Sequence, residues 1–488
     1  MGRAAGVVSR LRDALPTAWA VTWQWVVIAV GVALAAYLVL EHATTSSVLA
    51  AAALAALLVG AVLTWSVPLA IALMATPVVF VTERLAVGGA DLTVSDAALA
   101  AGFGTVVLLG SRRFSPPMRA MLWLNAIYQF STVFTVIANP FPQNTIEWFH
   151  AWLLISGALV LGWGLGRAGY ARLSMLLLLG MLGLIAAGTF ATAALNALQG
   201  HGLDAVYPLW PWAMHKNAAG GALALGVFLV YARPDWLGLS RRWTVLLVCV
   251  FGAALLLTQS RQAIAGLLGA LFILIIRRGA AGHALFLTVL AVPAVLLLVQ
   301  SVIEQFASGN QFNSAYARLD WMREVYALWK LSPVFGHGLR YWYVHPWAHF
   351  QPPQAELEVA ASAGVVGLLG FGIMWAGFVV VLWRVAPRYG AVALGTVVLR
   401  ITAAQFDLFW VAAQVSVPFL VAGICLGAQA LAVSTGDGQY WAPRKDARQS
   451  TAERRAAARR SKVGDRRNPR LYGNPRLYDR AYSSTPKD

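Results

Sequence analysis

A histidine between two glycines is the residue of this sequence best suited to acid–base chemistry. His337 lies in the run Phe335–Arg340, where the glycines allow a tight backbone path and leave the imidazole unobstructed. A neutral imidazole can take a proton from a hydroxyl group near neutral pH. His349 and His345, further along the same segment, are the alternatives. For each of the three, a structural histidine bonded to the backbone is the competing interpretation.

Cationic side chains near the ends of apolar segments suggest a site for an anion. Arg261 follows Arg242 by enough residues to rise about 28 Å along a helix, nearly the thickness of the hydrocarbon layer. Guanidinium groups bind phosphate oxygens through paired donors, so a lipid-borne diphosphate is the simplest ligand. For a lone arginine, snorkelling to lipid headgroups is the alternative. The predicted diphosphate-binding residues are Arg261, Arg318, Lys216 and Arg340.

Two further polar residues lie deep in the last apolar segments. Arg400 is about 18 Å from Arg388 by helical rise, where an unpaired charge is costly. Asp407 comes seven residues later, so we expect it on the same helix face as a partner. The chain contains no Gly-rich phosphate loop, paired-carboxylate metal motif or cofactor fingerprint. We therefore expect chemistry without a cofactor or a metal.

The composition excludes a soluble globular protein. The 488 residues are 59% hydrophobic and only 12% charged, and no compact core could hide so much apolar surface. Both cysteines, Cys249 and Cys425, lie in apolar runs, which excludes a disulfide framework and a structural zinc site. The net charge of +17 does not indicate nucleic-acid binding, because Lys and Arg also orient membrane spans.

The apolar runs predict an all-α polytopic integral membrane protein with 12–14 transmembrane helices. Two pairs of short segments could be re-entrant or tilted pieces, which accounts for the lower number. With the N-terminus in the cytoplasm, most Lys and Arg of the short connections fall inside, so both termini are predicted to be cytoplasmic. The candidate spans are residues 19–40, 47–64, 67–82, 95–111, 120–138, 148–166, 173–197, 217–232, 243–260, 262–276, 281–303, 358–383, 391–408 and 410–433.

The spans divide the chain into five parts. The parts are a cytoplasmic N-terminus at 1–18, transmembrane helices at 19–303, a large outer loop at 304–357, C-terminal transmembrane helices at 358–433 and a tail at 434–488. In the loop, Tyr316–Lys330 has the periodicity of an amphipathic helix on the membrane surface, with tryptophans that anchor it or stack on sugars. The basic tail is predicted to be disordered and attracted to anionic lipids, with a specific docking motif as the alternative.

The order of these features resembles the superfamily of O-antigen ligases and O-antigen polymerases, which are bacterial envelope glycosyltransferases. The motifs that carry the likeness, within residues 200–385, are Ser260-Arg261, Arg318 near Trp321, Pro333 before Gly336-His337-Gly338, and Gly364 with Gly367. In the family pattern, a histidine precedes Asn, Ser or Gln and nine further residues before Gly-x-x-Gly. That spacing matches Gln354, but Pro353 occupies the histidine position. His337, His349 or His345 would then have to supply the imidazole.

The single large loop is most similar to that of the O-antigen ligases of lipopolysaccharide maturation. The resemblance implies a GT-C-like, metal-independent enzyme of the bacterial inner membrane with its active site in the periplasm. The implied reaction is inverting transfer of O-antigen from undecaprenyl diphosphate to a hydroxyl of the lipid A core. The arginines would hold the diphosphate and a histidine would take the hydroxyl proton. The implied partners are the undecaprenyl-diphosphate-linked polysaccharide, the lipid A core and membrane lipids, with no nucleic acid.

Three other functions remain open from the sequence. An O-antigen polymerase or a protein O-oligosaccharyltransferase would use the same donor with a different acceptor. A transporter of the lipid-linked glycan is the non-enzyme alternative. Transporters place ionisable groups near mid-membrane and often have repeated halves with broken helices. In this sequence mid-span charges look rare and no duplicated half is visible, so an enzyme is favoured.

Overall fold

The computed structural model describes residues 67–87, 90–111, 113–200, 204–278, 314–344 and 351–442, together with the single positions 29 and 63. Within this part of the chain the architecture is helical, apart from one two-stranded antiparallel hairpin that pairs β1, Arg84–Val87, with β2, Ala90–Thr93. Six helices are long and apolar enough to cross a membrane. The protein is an all-α polytopic membrane protein, as its composition predicts.

The six long apolar helices are α3 (Pro116–Ala138), α4 (Pro142–Arg167), α5 (Ala171–Leu198), α7 (Arg241–Thr258), α11 (Ala355–Arg384) and α13 (Ala412–Ser434). The other described helices are α1 (Ala70–Val78), α2 (Val94–Leu109), α6 (Lys216–Ala232), α8 (Arg261–Arg278), α9 (Ser314–Leu331), α10 (Tyr341–Val344) and α12 (Pro387–Ala404). Prolines at the first turns of α3 and α12 fit positions where the missing N–H has no intrahelical acceptor.

Most predicted spans that fall on described residues coincide with helices. The spans at 19–40, 47–64 and 281–303 lie almost wholly outside the described residues, as do the N-terminus at 1–18 and tail residues 443–488. The span predicted at 67–82 contains only the nine-residue α1. The span predicted at 391–408 ends early, at Ala404.

Helices α4 and α13 pack with their backbones in close contact. A Cβ atom added at Gly162 or Gly166 of α4 would collide with carbonyls of α13, and one added at Gly423 or Gly427 of α13 would collide with carbonyls of α4. Small residues at such crossings let membrane helices approach closely, so that dispersion contacts hold them together. Helix α13, held in this way against α4, supplies part of the cavity wall described below.

The connections predicted to be cytoplasmic are joined by arginine contacts. Arg277 donates to the backbone carbonyls of Trp383 and Val385, and Arg388 Nε lies 3.7 Å from Asp235 Oδ2. Arg167 donates to Ser434 Oγ at 2.8 Å. These contacts link the helix ends opposite to those that carry Lys216 and Arg261.

The helix predicted at Tyr316–Lys330 in the large loop is observed as α9, and its place at a membrane surface stays a prediction. Val325 is buried against a small cluster that includes Tyr341 and Trp342, whereas Met322 and Tyr326 are exposed. One apolar face of α9 therefore packs on the protein and the other is left uncovered.

Candidate active site

Two helix N-termini lie side by side in the structure. Helix α6 begins at Lys216 and α8 begins at Arg261. Ser260 Oγ donates to Asn217 Oδ1 at 3.4 Å, and Gly220 of α6 leaves the space that the Ser260 side chain occupies. The first N–H groups of a helix have no intrahelical acceptor and attract anions. Two such ends, each with a cationic residue, suit a group with several phosphate oxygens.

A cavity of about 650 Å³ lies beside these helix starts. Most of its wall comes from α6, α8, α12, α13 and the segment that joins α12 to α13. The segments after α1 and before α6, Trp321 of α9 and Pro353 also contribute. Its polar lining residues include Thr82, His215, Asn217, Gln262, Arg400, Asp407 and Gln414. Its apolar lining includes Leu225, Leu399, Phe406, Val411, Val417 and Pro418. A cavity with both kinds of wall suits a ligand that has a polar head and an apolar chain.

Arg400 and Asp407 both line this cavity, but not in the way the sequence predicts. Because α12 ends at Ala404, Asp407 does not lie on one helix face with Arg400, and that part of the prediction is wrong. Gln262 Nε2 instead donates to Asp407 Oδ2 at 2.5 Å. The buried Arg400 donates to Gln414 Oε1 at 3.0 Å, to the Leu408 carbonyl at 2.7 Å and to the Phe409 carbonyl. Arg400 therefore holds the segment that carries Asp407.

Gln354 caps the start of α11 and hydrogen-bonds to the residue that follows α12. Its Oε1 accepts from the Leu357 N–H at 2.7 Å at the start of α11. Its Nε2 donates to Gln405 Oε1 at 3.1 Å, just after the end of α12. The preceding residue, Pro353, lines the cavity. The position where the family pattern has its histidine is thus part of the cavity wall.

His337 is half-buried and its ring is bound to the backbone. Its Nε2 lies 2.8 Å from the Leu328 carbonyl oxygen, and its ring lies 5.2 Å from that of Tyr341. Because a carbonyl oxygen only accepts, Nε2 must carry the proton, and Nδ1 is then the acceptor atom of the ring. His337 is not one of the residues that line the cavity. His345 and His349 lie outside the described residues.

The loop that carries His337 is bonded into a break in α11. Gly364 has φ 64° and ψ −165°, which interrupts the helix. The N–H groups of His337 and Gly338 donate to the carbonyls of Ala361 and Ser362 at 3.0 and 2.9 Å, and the Val365 N–H donates to the Pro333 carbonyl at 2.8 Å. The loop thus provides hydrogen-bond partners for the N–H and carbonyl groups of α11 that lose their partners within the helix at the break.

The glycines of the two motifs allow this close approach. A Cβ atom at Gly336 would collide with the backbone of Ser362, and one at Gly364 with the carbonyl of Val334. Gly-His-Gly and Gly-x-x-Gly are therefore parts of one structural unit. The expectation that glycine serves to leave the imidazole unobstructed missed this role.

Four buried or mostly buried ionisable residues of the apolar helices were missed by the sequence analysis. They are Asp96 of α2, Glu147 and His150 of α4, and Glu358 of α11. Glu358 accepts from Gln351 Nε2 at 2.6 Å. The available signal was Glu and His three residues apart on an apolar helix, since ionisable groups within spans indicate function by default. All four lie near the starts of their helices, so they do not contradict the expectation that charges in the middle of spans are rare.

Arg340 is bound to one of these carboxylates. Its Nε lies 3.1 Å from Glu147 Oε2, and its guanidinium lies over the Tyr343 ring at 4.3 Å. The side chains of Arg340 and Glu147 are 16% and 9% exposed. The structure therefore places Arg340 in a mostly buried ion pair within the His337 loop.

The predicted site residues fall into three groups. The first group is at the cavity: Arg400 and Asp407 line it, and Lys216, Arg261 and Gln354 are next in sequence to residues that line it. Arg318 precedes Trp321 by three residues in α9, but its side chain is not among those described. His337 and Arg340 lie together in the loop that is hydrogen-bonded to the break in α11. In the part of the chain that the structure describes, no group of three or more His, Cys, Asp or Glu could hold a metal ion.

Comparison with known proteins gives one informative match. The family model described as O-Antigen ligase (Wzy_C) matches residues 244–372. The matched segment includes α8 with Arg261, α9, the loop with His337 and the break of α11 at Gly364. No curated protein matches the chain.

Proposed function

We propose that the protein is an O-antigen ligase, on the basis of its match to the O-antigen ligase family model at residues 244–372. It transfers a polysaccharide from undecaprenyl diphosphate to a hydroxyl of the lipid A core at the periplasmic face of the inner membrane. The observation that carries this proposal is the amphipathic cavity beside the paired N-termini of α6 and α8.

The diphosphate of the donor binds at the two helix starts. Lys216 and Arg261 supply positive charge there. The Asn217 N–H of α6 is already bonded to His215 Nδ1 at 3.3 Å, so the other first-turn N–H groups of the two helices are the proposed backbone donors. Arg318, on the helix that also contributes Trp321 to the cavity, is a third predicted ligand. These groups stabilise the negative charge that accumulates on the leaving diphosphate. Such contacts lower the activation free energy by about 3 kcal/mol. The apolar cavity wall receives the start of the lipid chain.

A single displacement accounts for the transfer. The acceptor hydroxyl attacks the anomeric carbon, the bond from that carbon to the diphosphate oxygen breaks, and undecaprenyl diphosphate leaves with both electrons of that bond. His337 is the proposed base, because its Nε2 bond to Leu328 leaves Nδ1 to take the hydroxyl proton. Asp407, the carboxylate of the cavity wall, is the second candidate, and His345 and His349 remain alternatives. One displacement inverts the anomeric configuration.

The proposal is tested by supplying both substrates to the purified protein. The wild-type protein in vesicles, given undecaprenyl-diphosphate glycan and lipid A core, should yield a ladder of glycan joined covalently to lipid A core. A ladder on the lipid-linked glycan itself would indicate a polymerase, and a ladder on an added acceptor protein an oligosaccharyltransferase. Donor that remains intact with all three acceptors would contradict an enzyme of this class.

A glycan transporter is favoured by two observations, the broken helix α11 and the buried ionisable residues. In this chain, however, the freed backbone groups at the break are bonded to the loop, and Glu147 is bonded to Arg340 and His150. The same vesicles separate the two functions. A transporter would move labelled glycan lipid across the bilayer without joining it to lipid A core.

A further inference from the structure

A continuous chain of buried charged groups connects helix α2 to the His337 loop. Asp96 Oδ1 lies 3.0 Å from His150 Nε2, and Glu147 Oε1 lies 3.3 Å from His150 Nδ1. The other oxygen of Glu147 lies 3.1 Å from Arg340 Nε. Thr93 anchors the far end, because its N–H and hydroxyl both donate to Asp96 Oδ2, at 2.9 and 2.7 Å. All four carboxylate oxygens thus have a partner.

The charges of this chain balance. Carboxylates accept hydrogen bonds, so both ring nitrogens of His150 must carry protons to donate to Asp96 and Glu147 together. The imidazolium and the Arg340 guanidinium then offset the two carboxylates. The side chains of Asp96, Glu147, His150 and Arg340 are 4%, 9%, 12% and 16% exposed. A buried ion pair adds little stability over an apolar pair, but loss of one partner leaves an uncompensated buried charge.

The corner between α3 and α4 holds the same loop through neutral contacts. Asn144 Oδ1 accepts from the Arg340 N–H at 3.0 Å, and Asn144 Nδ2 donates to the Asn139 carbonyl at 2.8 Å. Asn139 Nδ2 donates to the Gly336 carbonyl at 3.3 Å. The loop is thus held on one side by α3 and α4 and on the other by the break in α11, with His337 between the two attachments.

We propose that Glu147 is a positioning residue for the transfer, which acts by fixing Arg340 and with it the loop that carries His337. His150 and Asp96 support Glu147 by occupying its second oxygen and completing the charge balance. This inference rests on the proposed function, since it assigns the loop a role in the transfer. Displacement of a reacting group by about 1 Å can cost about 100-fold in rate, so a loosened loop should lower kcat.

The test compares Glu147→Gln, Arg340→Met and the double variant with wild type. Asp320→Asn with Arg323→Met is the matched control, because this pair on α9 is bonded at 3.2 Å but is 69% and 80% exposed. We expect Glu147→Gln to lower kcat by about 10- to 100-fold with the donor KM within about threefold. Because the two residues act as a pair, the double variant should lose no more than the more affected single variant. The control pair should transfer as wild type does.

Hydrogen exchange provides a readout that does not depend on transfer. The amides of residues 336–340 should exchange at least about tenfold faster in Glu147→Gln, while amides in the packed α4 and α13 stay protected. Glu147→Asp, which keeps the charge, should restore most of the loop protection. Wild-type loop exchange in a folded Glu147→Gln protein would overturn the proposal, as would faster exchange with undiminished kcat. If even the wild-type protein transfers no glycan, the ligase proposal fails, and exchange alone decides whether Glu147 fixes the loop.

Discussion

At the scale of single residues, one arginine holds a segment of the cavity wall in place. Arg400 is 2% exposed and donates to a side-chain oxygen and to two backbone carbonyls of the segment after α12. The sequence identified Arg400 and Asp407, because charged residues in an apolar run are conspicuous. It could not show that α12 ends between the two residues. The end is stabilised by bonds from Arg400 to backbone carbonyls, and because every residue type has such a carbonyl, the sequence does not mark them.

Arg400→Lys should destabilise the protein and lower transfer. A single ammonium group cannot match the fork of donors that Arg400 presents, and each buried carbonyl left without a donor costs about 1–3 kcal/mol. We expect a lower midpoint of thermal unfolding in detergent and slower transfer. Arg323→Lys, at an exposed position of α9, is the control and should change neither. An unchanged midpoint for Arg400→Lys would show that its bonds do not hold the segment.

At the scale of elements, helix positions followed from hydropathy, whereas the break in α11 did not. Spans of apolar residues bounded by charge predicted helices such as α5 and α7 within a few residues, because the bilayer permits little else. Residues 358–383 form one apolar run, and nothing in that run marks Gly364 as the break. The break depends on carbonyl and N–H groups of the distant loop at 333–338, which only the fold brings together.

Gly364→Ala should disrupt the joint between the loop and α11. Position 364 has φ 64° and ψ −165°, a conformation that is essentially restricted to glycine, and a Cβ there would also collide with the Val334 carbonyl. We expect transfer to fall at least about tenfold, in line with a strain of about 1–3 kcal/mol. Gly372→Ala is the matched control, because it lies in the same helix with open space around it. Wild-type transfer by Gly364→Ala would contradict the role assigned to the break.

At the scale of the whole molecule, sequence reasoning identified candidate site residues but not the contacts between them. The sequence places Arg261 near a membrane boundary by helical rise and Lys216 at the start of an apolar span, and the structure puts the starts of their helices in contact. The Asp96–His150–Glu147–Arg340 chain spans residues that are far apart in sequence, so no local pattern could assemble it. The same holds for the cavity, whose wall combines elements that are far apart in sequence.

Transfer should not require a divalent metal. Lys216, Arg261 and two helix N-termini can offset the charge of a diphosphate, as a metal does in other glycosyl-transfer sites. We expect the rate in EDTA to lie within about twofold of the untreated rate, with each measured as glycan joined to lipid A core. Loss of transfer in EDTA, restored by added Mg²⁺ or Mn²⁺, would show that these groups are insufficient.

The most direct test of the central claim is transfer by Arg261→Ala and Lys216→Ala, measured in vesicles with correctly inserted protein. If the paired starts of α6 and α8 hold the donor diphosphate, each variant should lose about 100-fold in kcat/KM. Arg323→Ala, which removes an exposed arginine of α9, should transfer at the wild-type rate. Wild-type transfer by both Arg261→Ala and Lys216→Ala would contradict a diphosphate site at these helix ends.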